Sequence, residues 1–314
     1  MTVGPRTGAL ITFTRDTTIR AGVRAAYAAL TQACRDSGDN AHHAELVGEH
    51  PRYAWLLPHS NALAVIHDSE QEACELLACA DLLRECRVPV VPAYYGRPLV
   101  VGRGRAVTFW HNPGRYRPAP GAAARVTAAV HGIKPAGALW LREHHPFNDL
   151  LDGLEQAPLN DSTRDFLYEH TARVRTDWQH VRWPTTPTVI LATTGPARCH
   201  DDGDYRLLLR TPLRLGHREW DLVAARWRSE LLYGHLENQR TYTVTYASCS
   251  GSALAREPIG SWPDYQVVRD AVVLTEVMET VRGAHQDDRT RQAAEHQVAC
   301  LRGAHQAPWR WGTR

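Results

Sequence analysis

Short apolar runs alternate with helix-period segments over residues 9–94, and this alternation limits the fold more than any other feature of the chain. Ala9–Thr14 (ALITFT) reads as a buried strand. A helix follows from Thr18 to Arg35, with Ile19, Val23, Ala26, Tyr27 and Leu30 at the 3.6-residue period. Asn61–His67 (NALAVIH) is a second strand. Asp68-Ser69 then offers an N-cap to a helix reaching Arg87, whose apolar face carries Ala73, Leu76, Leu77, Ala80 and Leu83. Val88–Tyr94 (VPVVPAY) is a third strand, placed near an edge because Pro89 and Pro92 lack an N–H to donate. Strand–helix–strand units of this length imply a Rossmann-like parallel sheet with flanking helices and right-handed crossovers.

The rest of the chain reads as mixed α/β. Short strands at Pro98–Gly102, Ala106–Trp110 and Ala138–Leu141 surround a Pro/Gly-rich loop, His111–Gly121, and a helix covers Ser162–His180. Arg182-Trp-Pro-Thr-Thr-Pro187 has the composition of a linker, which divides the chain into an N-terminal domain, 1–181, and a C-terminal domain, 188–314. In the latter, strands are expected at Thr188–Thr193, Tyr205–Leu215, Thr241–Tyr246 and Tyr265–Glu276, with helices at Arg218–Glu237 and Asp288–Leu301. The expected class is therefore α/β throughout, with 314 residues sufficient for two domains.

Composition excludes several chemistries. A formal charge of +2 does not call for nucleic acid or an anionic membrane as partner. No run approaches the ~18 apolar residues of a membrane span. The opening MTVGPRTGALITFTRD is a strand and not a signal peptide, and the seven cysteines include no CxxC, so a cytoplasmic location is expected. Of the 36 lysines and arginines only Lys134 is lysine. A Walker lysine is thereby excluded, and a Schiff-base mechanism would have to use a residue in the turn Gly132–Gly137.

Ser60–Tyr94 carries the first candidate site. An apolar strand leads to Ser69, Cys74-Glu75 follow on the next helix, six residues separate Ser69 from Glu75, and a Pro-containing apolar strand comes after. This stretch resembles the centre of Toll/interleukin-1-receptor (TIR) domains, and Leu10–Asp16 is similar to the first strand of that family. Nucleoside deoxyribosyltransferases share the layout. The resemblance implies cleavage or transfer at the N-glycosidic bond of NAD or a nucleotide, an enzyme of the glycosidase or transferase kind. Glu75 would be the catalytic carboxylate and Ser69 its neighbour, with Thr14 and Arg15 near the substrate. A carboxylate at a sheet edge can hold the ribose or stabilise the oxocarbenium-like charge of such a reaction. Cys74 abuts Glu75, whereas the family spaces the two apart.

Trp262–Met278 carries the second. Pro263-Asp264 opening one strand and Glu276 closing the next, with Glu230 on an earlier helix, resembles the core of restriction-endonuclease-like nucleases, particularly transposon-end endonucleases. Three such carboxylates imply one or two Mg²⁺ ions that activate water against a phosphodiester. Met278 stands where that family has lysine. The implied alternative is a nucleic-acid-binding protein with a degenerate metal-dependent nuclease core. A further alternative is a non-catalytic interaction module of TIR type, and a homo-oligomer is the expected assembly. Cys199–Asp204 (CHDDGD) includes an H-x-D pair, His200 and Asp202, but also suits a turn.

Overall fold

The computed structural model describes residues 21–48, 52–112, 114, 119–192, 206–229, 236–251, 259–285, 288–307, 309 and 311. The expected strand Ala9–Thr14 lies outside them. The chain divides into two compact units, one comprising 1–77 and 92–112, the other 78–91 and 113–314.

The first unit is built on antiparallel pairing, which replaces the parallel sheet expected from the sequence. Helix α1 (Ala21–Ser37) precedes strands β1 (Glu45–Gly48), β2 (Ala54–Leu57) and β3 (Ala62–His67). Helix α2 (Glu70–Glu85) starts in this unit, and β4 (Leu99–Val100) and β5 (Ala106–His111) complete the sheet in the order β1-β2-β3-β5-β4. Every neighbouring pair is antiparallel. A strand–helix–strand rhythm implies parallel strands only if the second strand follows the helix directly. Here the chain after α2 runs back through an extended stretch in which Ala93 makes only an isolated antiparallel bridge to Trp110. The expected strand Val88–Tyr94 is otherwise absent among the described residues, as Pro89 and Pro92 allow.

Pleating sorts the side chains onto two faces. Trp55 and Leu57 of β2, Ala62, Ala64 and Ile66 of β3, and Val107 and Phe109 of β5 pack with Val23, Ala26, Leu30, Ala33 and Cys34 of α1. These α1 positions recur at three- and four-residue steps, so one helix stripe covers one sheet face. The opposite face receives the alternate residues, among them His67, Thr108 and Trp110, all at most 1% exposed. Asn61, at φ +50°, turns the chain from β2 into β3, a left-handed conformation that asparagine tolerates.

The second unit is mainly helical: α3 (Pro120–His131), α4 (Asp161–Trp178), α5 (Glu219–Trp227), α6 (Leu236–Ser250), α7 (Tyr265–Gly283) and α8 (Asp288–Leu301), with a short antiparallel pair, β6 (Thr188–Ile190) and β7 (Arg214–Gly216). Asn160 caps α4, accepting the N–H of Thr163 at 2.8 Å. The linker-like segment 182–187 lies inside this unit, between α4 and β6. Two expected strands are helices. Thr241–Tyr246 alternates perfectly but belongs to α6, where Thr241 and Thr245 close over Gly121 of α3, and Tyr246 packs on Ala124 and Ala128. Tyr265–Glu276 is rich in valine, yet Tyr265, Val268, Val272, Leu274, Val277, Met278 and Val281 are all buried at helical spacing on α7. Helical burial outweighs the β preference of its valines.

Because Leu274 is fully buried in the core around α7, Leu274→Ala is expected to cost about 2–5 kcal/mol of unfolding free energy, read from urea denaturation. A loss under about 1 kcal/mol would show that α7 does not centre that core.

Candidate functional site

In the first unit the end of β3 carries a polar cluster. The His67 ring is fully buried, with Nε2 2.9 Å from Thr108 Oγ1 on β5. That hydroxyl accepts the indole N–H of Trp110 at 2.8 Å. The arrangement that satisfies all three groups has the Thr108 hydroxyl donating to Nε2, leaving the imidazole proton on Nδ1, a tautomer assigned from the hydrogen-bond pattern. Nδ1 stands 4.0 Å from Glu72 Oε2. Burial, reinforced by the charge of Arg52 and only partly opposed by Glu72, pushes the imidazole down to about 3. His67 is therefore neutral at physiological pH.

Glu72 lies in the first turn of α2, and its backbone N–H is taken by the Ser69 side chain at 3.2 Å. The Arg52 guanidinium donates to the Glu72 carboxylate. Burial pushes that carboxyl up, but the hydrogen bond and charge of Arg52, with smaller help from His67 and the Asp68 backbone, more than offset it and hold it below its usual range. Arg52 reaches this place because β2 pairs with β3. Ala54 is opposite Val65, and the Tyr53 carbonyl accepts the Ile66 N–H at 2.9 Å, so the residue before Tyr53 falls beside the strand end.

The second unit holds a separate buried network. Asp221 on α5 accepts backbone N–H groups from Leu191 at 2.7 Å and Ala192 at 3.1 Å, where the chain leaves β6. His131 at the end of α3 joins it, with Nε2 3.0 Å from Asp221 and Nδ1 2.7 Å from the Tyr246 hydroxyl. Burial pushes the Tyr246 hydroxyl up to about 12. Ala192 has φ +51°, a left-handed conformation that costs an alanine about 1–2 kcal/mol. The two N–H bonds to Asp221 hold it there.

The residues singled out in the sequence do not form either cluster. Ser69 is the N-cap of α2, and Glu75 is half-buried one turn beyond Glu72, accepting from Gln71 at 3.2 Å. Thr14, Arg15, Glu230 and His200–Asp204 lie outside the described residues. Asp264 precedes α7 and accepts the Arg182 backbone N–H at 2.9 Å. Glu276 is on the same helix, twelve residues further and so about 18 Å along its axis, bound to Arg228 with Nε at 3.1 Å. Asp264 and Glu276 are not brought together. Among the described residues no three His, Cys, Asp or Glu side chains are grouped to hold a metal. Lys134 is exposed in its turn.

No protein-family model matches the chain, and no curated protein sequence matches it. Solved structures do. A choline/ethanolamine kinase family protein from Mesorhizobium loti superposes with a TM-score of 0.56 at 13% identity, covering 92% of this chain and 96% of its own. A microcompartment-associated aminopropanol kinase gives 0.55 at 16%, covering 88% and 94%. A spectinomycin phosphotransferase, in complex with ADP and spectinomycin, gives 0.54 at 8%, covering 84% and 90%. At these identities the likeness establishes the fold: a kinase-like fold shared with choline and aminoglycoside phosphotransferases, with an antiparallel five-stranded sheet and a helical C-terminal part.

That fold overturns both resemblances read from the sequence. A TIR or deoxyribosyltransferase domain needs a parallel sheet, and the antiparallel β3–β5 ladder removes it, together with the N-glycosidic reaction on NAD or a nucleotide and the TIR-type interaction module. The nuclease core needs strands where α7 stands, so that alternative falls too. Nothing among the neighbours supports NAD, nucleic acid or a homo-oligomer. No helix among the described residues is long and apolar enough to cross a membrane. The sequence reading missed Arg52, His67, Glu72, His131 and Asp221. A histidine closing a wholly apolar strand, five residues before an acid, was the available signal for His67 and Glu72; Arg52 gave none.

His67 has a folded-state pKa below its unfolded value, so below pH 6.5 the unfolded chain takes up the proton first. Its contribution to stability is complete above about 6.5 and is lost at up to about 1.4 kcal/mol per pH unit as pH falls toward 3. Urea midpoints from pH 7 to 4 should fall less steeply in His67→Gln than in wild type. Equal slopes would show that His67 is not held neutral.

Proposed function

We propose that this protein binds a nucleoside di- or triphosphate on a phosphotransferase fold whose metal-assisted transfer machinery has been lost. Protein-kinase-type transfer uses a lysine on the third strand paired to a glutamate of the following helix, an H-x-D-x4-N catalytic loop, and the aspartate of a D-F-G segment that holds Mg²⁺. The charge pair is kept in altered form, since Glu72 of α2 remains ionised beside an arginine at the end of β3. The transfer residues are not. No asparagine occurs between Asn160 and Asn238, so no H-x-D is completed by an asparagine in the connection from β6 to β7. The stretch leading into β7, Arg206–Leu213 (RLLLRTPL), has no carboxylate, and the one D-F pair, Asp165-Phe166, lies inside α4. A resident Mg²⁺ therefore finds no fitting ligand set among the described residues.

Retention of the Glu72 ion pair without the transfer residues is the observation that carries this reading. The bound nucleotide of the spectinomycin phosphotransferase supports the ligand class, and such nucleotides are cytoplasmic metabolites, in keeping with the location expected from the sequence. A second reading has one observation in its favour. The β6–β7 connection includes His200, Asp201, Asp202 and Asp204, acids that would serve a working phosphotransferase acting on an amino-alcohol or aminoglycoside hydroxyl.

Calorimetric titration with ATP, GTP and their diphosphates separates the two when run beside an ADP- or GDP-release assay with Mg²⁺ and amino-alcohol or aminoglycoside acceptors. Binding with turnover far below the about 1–100 s⁻¹ of working kinases is expected. Turnover in that range, abolished by Asp202→Asn, would establish the second reading, and absence of binding by every nucleotide would end both.

A further inference from the structure

The position that carries a lysine in kinase-type sheets is here a neutral, fully buried imidazole, so the strand itself presents no positive charge. The cation beside Glu72 comes instead from Arg52, one residue before the Tyr53 carbonyl that begins the pairing with β3. Arg52 is close enough to His67 for its charge to depress the imidazole, so guanidinium, imidazole and carboxylate converge on one point. The pair is not sealed in, as the Glu72 side chain is 34% exposed and that of Arg52 11%. A guanidinium carries five N–H donors in a rigid fork, so one group can hold a carboxylate and two phosphate oxygens together, which an ammonium does only as a point charge.

We propose that Arg52 is the residue that binds the polyphosphate of the nucleotide, taking over from β3, and that it does so without a divalent metal. This rests on the nucleotide-binding reading above and names the residue and the form of the ligand within it. Two observations carry the metal independence. No carboxylate occurs in Arg206–Leu213 to share a metal with the phosphates, and the Glu72 carboxylate is already taken by Arg52. His67, locked between Thr108 and Glu72, then acts as a neutral spacer that positions Glu72 and does not touch the ligand.

The test is the dissociation constant for ATP and ADP, measured by calorimetry with the full chain in Mg²⁺ and again in EDTA. Wild type should bind the free nucleotide in EDTA within about threefold of its affinity in Mg²⁺. Arg52→Ala should weaken binding by about tenfold or more in both conditions, the effect of losing charge-assisted hydrogen bonds, and Arg52→Lys should fall between. Because Arg52→Ala strands a half-buried carboxylate, the double variant Arg52→Gln/Glu72→Gln removes both charges together. It should fold with a wild-type circular dichroism spectrum and still bind weakly. Wild-type affinity in either the single or the double variant would overturn the assignment to Arg52, and binding that vanishes in EDTA would overturn its metal independence. Wild-type protein that binds no nucleotide in either buffer would end the functional reading, and this assignment with it.

Discussion

Six consecutive residues of β3 pair antiparallel with β5, from Ala62 opposite His111 to His67 opposite Ala106. This ladder organises the N-terminal unit. It fixes which residues of each strand share a face, and a slip of one residue would exchange the two faces. On one side the ladder gives α1 an apolar bed of Ala64, Ile66, Val107 and Phe109. On the other it aligns His67, Thr108 and Trp110 in a single hydrogen-bonded line. A buried imidazole with a hydroxyl on one nitrogen and a carboxylate near the other has little freedom, and Glu72 at the start of α2 is located by the same contact. Sheet register is thus converted into the position of an ionised side chain.

Much of the element content was legible in the sequence, and the topology was not. β3, β5, α2, α4 and α8 stand where local patterning puts them, because each is bounded by a cap or a turn and has one dominant period. Pairing direction is not a local property. The chain between α2 and β5 doubles back, and no residue pattern there distinguishes a return from a crossover. The valines of α7 misled for a different reason. Propensity favours strand, but Val268, Val272, Val277 and Val281 meet the core only if the chain is helical. Thr241–Tyr246 shows the same conflict, with alternation overruled by the fit of α6 against the small residues of α3.

The candidate site was less legible still. Sequence attention fell on the right helix but one turn too far along it, at Glu75. Glu72 reads as an ordinary first-turn acid until β3 brings His67 beside it. Arg52 is one arginine among many and acquires meaning only from the β2–β3 register. Asp221 reads as part of an amphipathic helix, and nothing local announces that it receives two backbone N–H groups from residues 191 and 192. Long-range hydrogen bonds of this sort leave no periodic trace.

Replacement of lysine by arginine almost everywhere has a practical side. The turn that begins at Gly132 leaves Lys134 exposed just before a short 3-10 helix, Pro135–Gly137, on the second unit. Its ammonium is the one primary amine that any side chain of this protein offers. Amine-directed reagents, from fluorophores to surface-coupling esters, therefore meet a single side-chain target, remote in sequence from Arg52, His67 and Glu72. The chain comes with a built-in handle for oriented immobilisation.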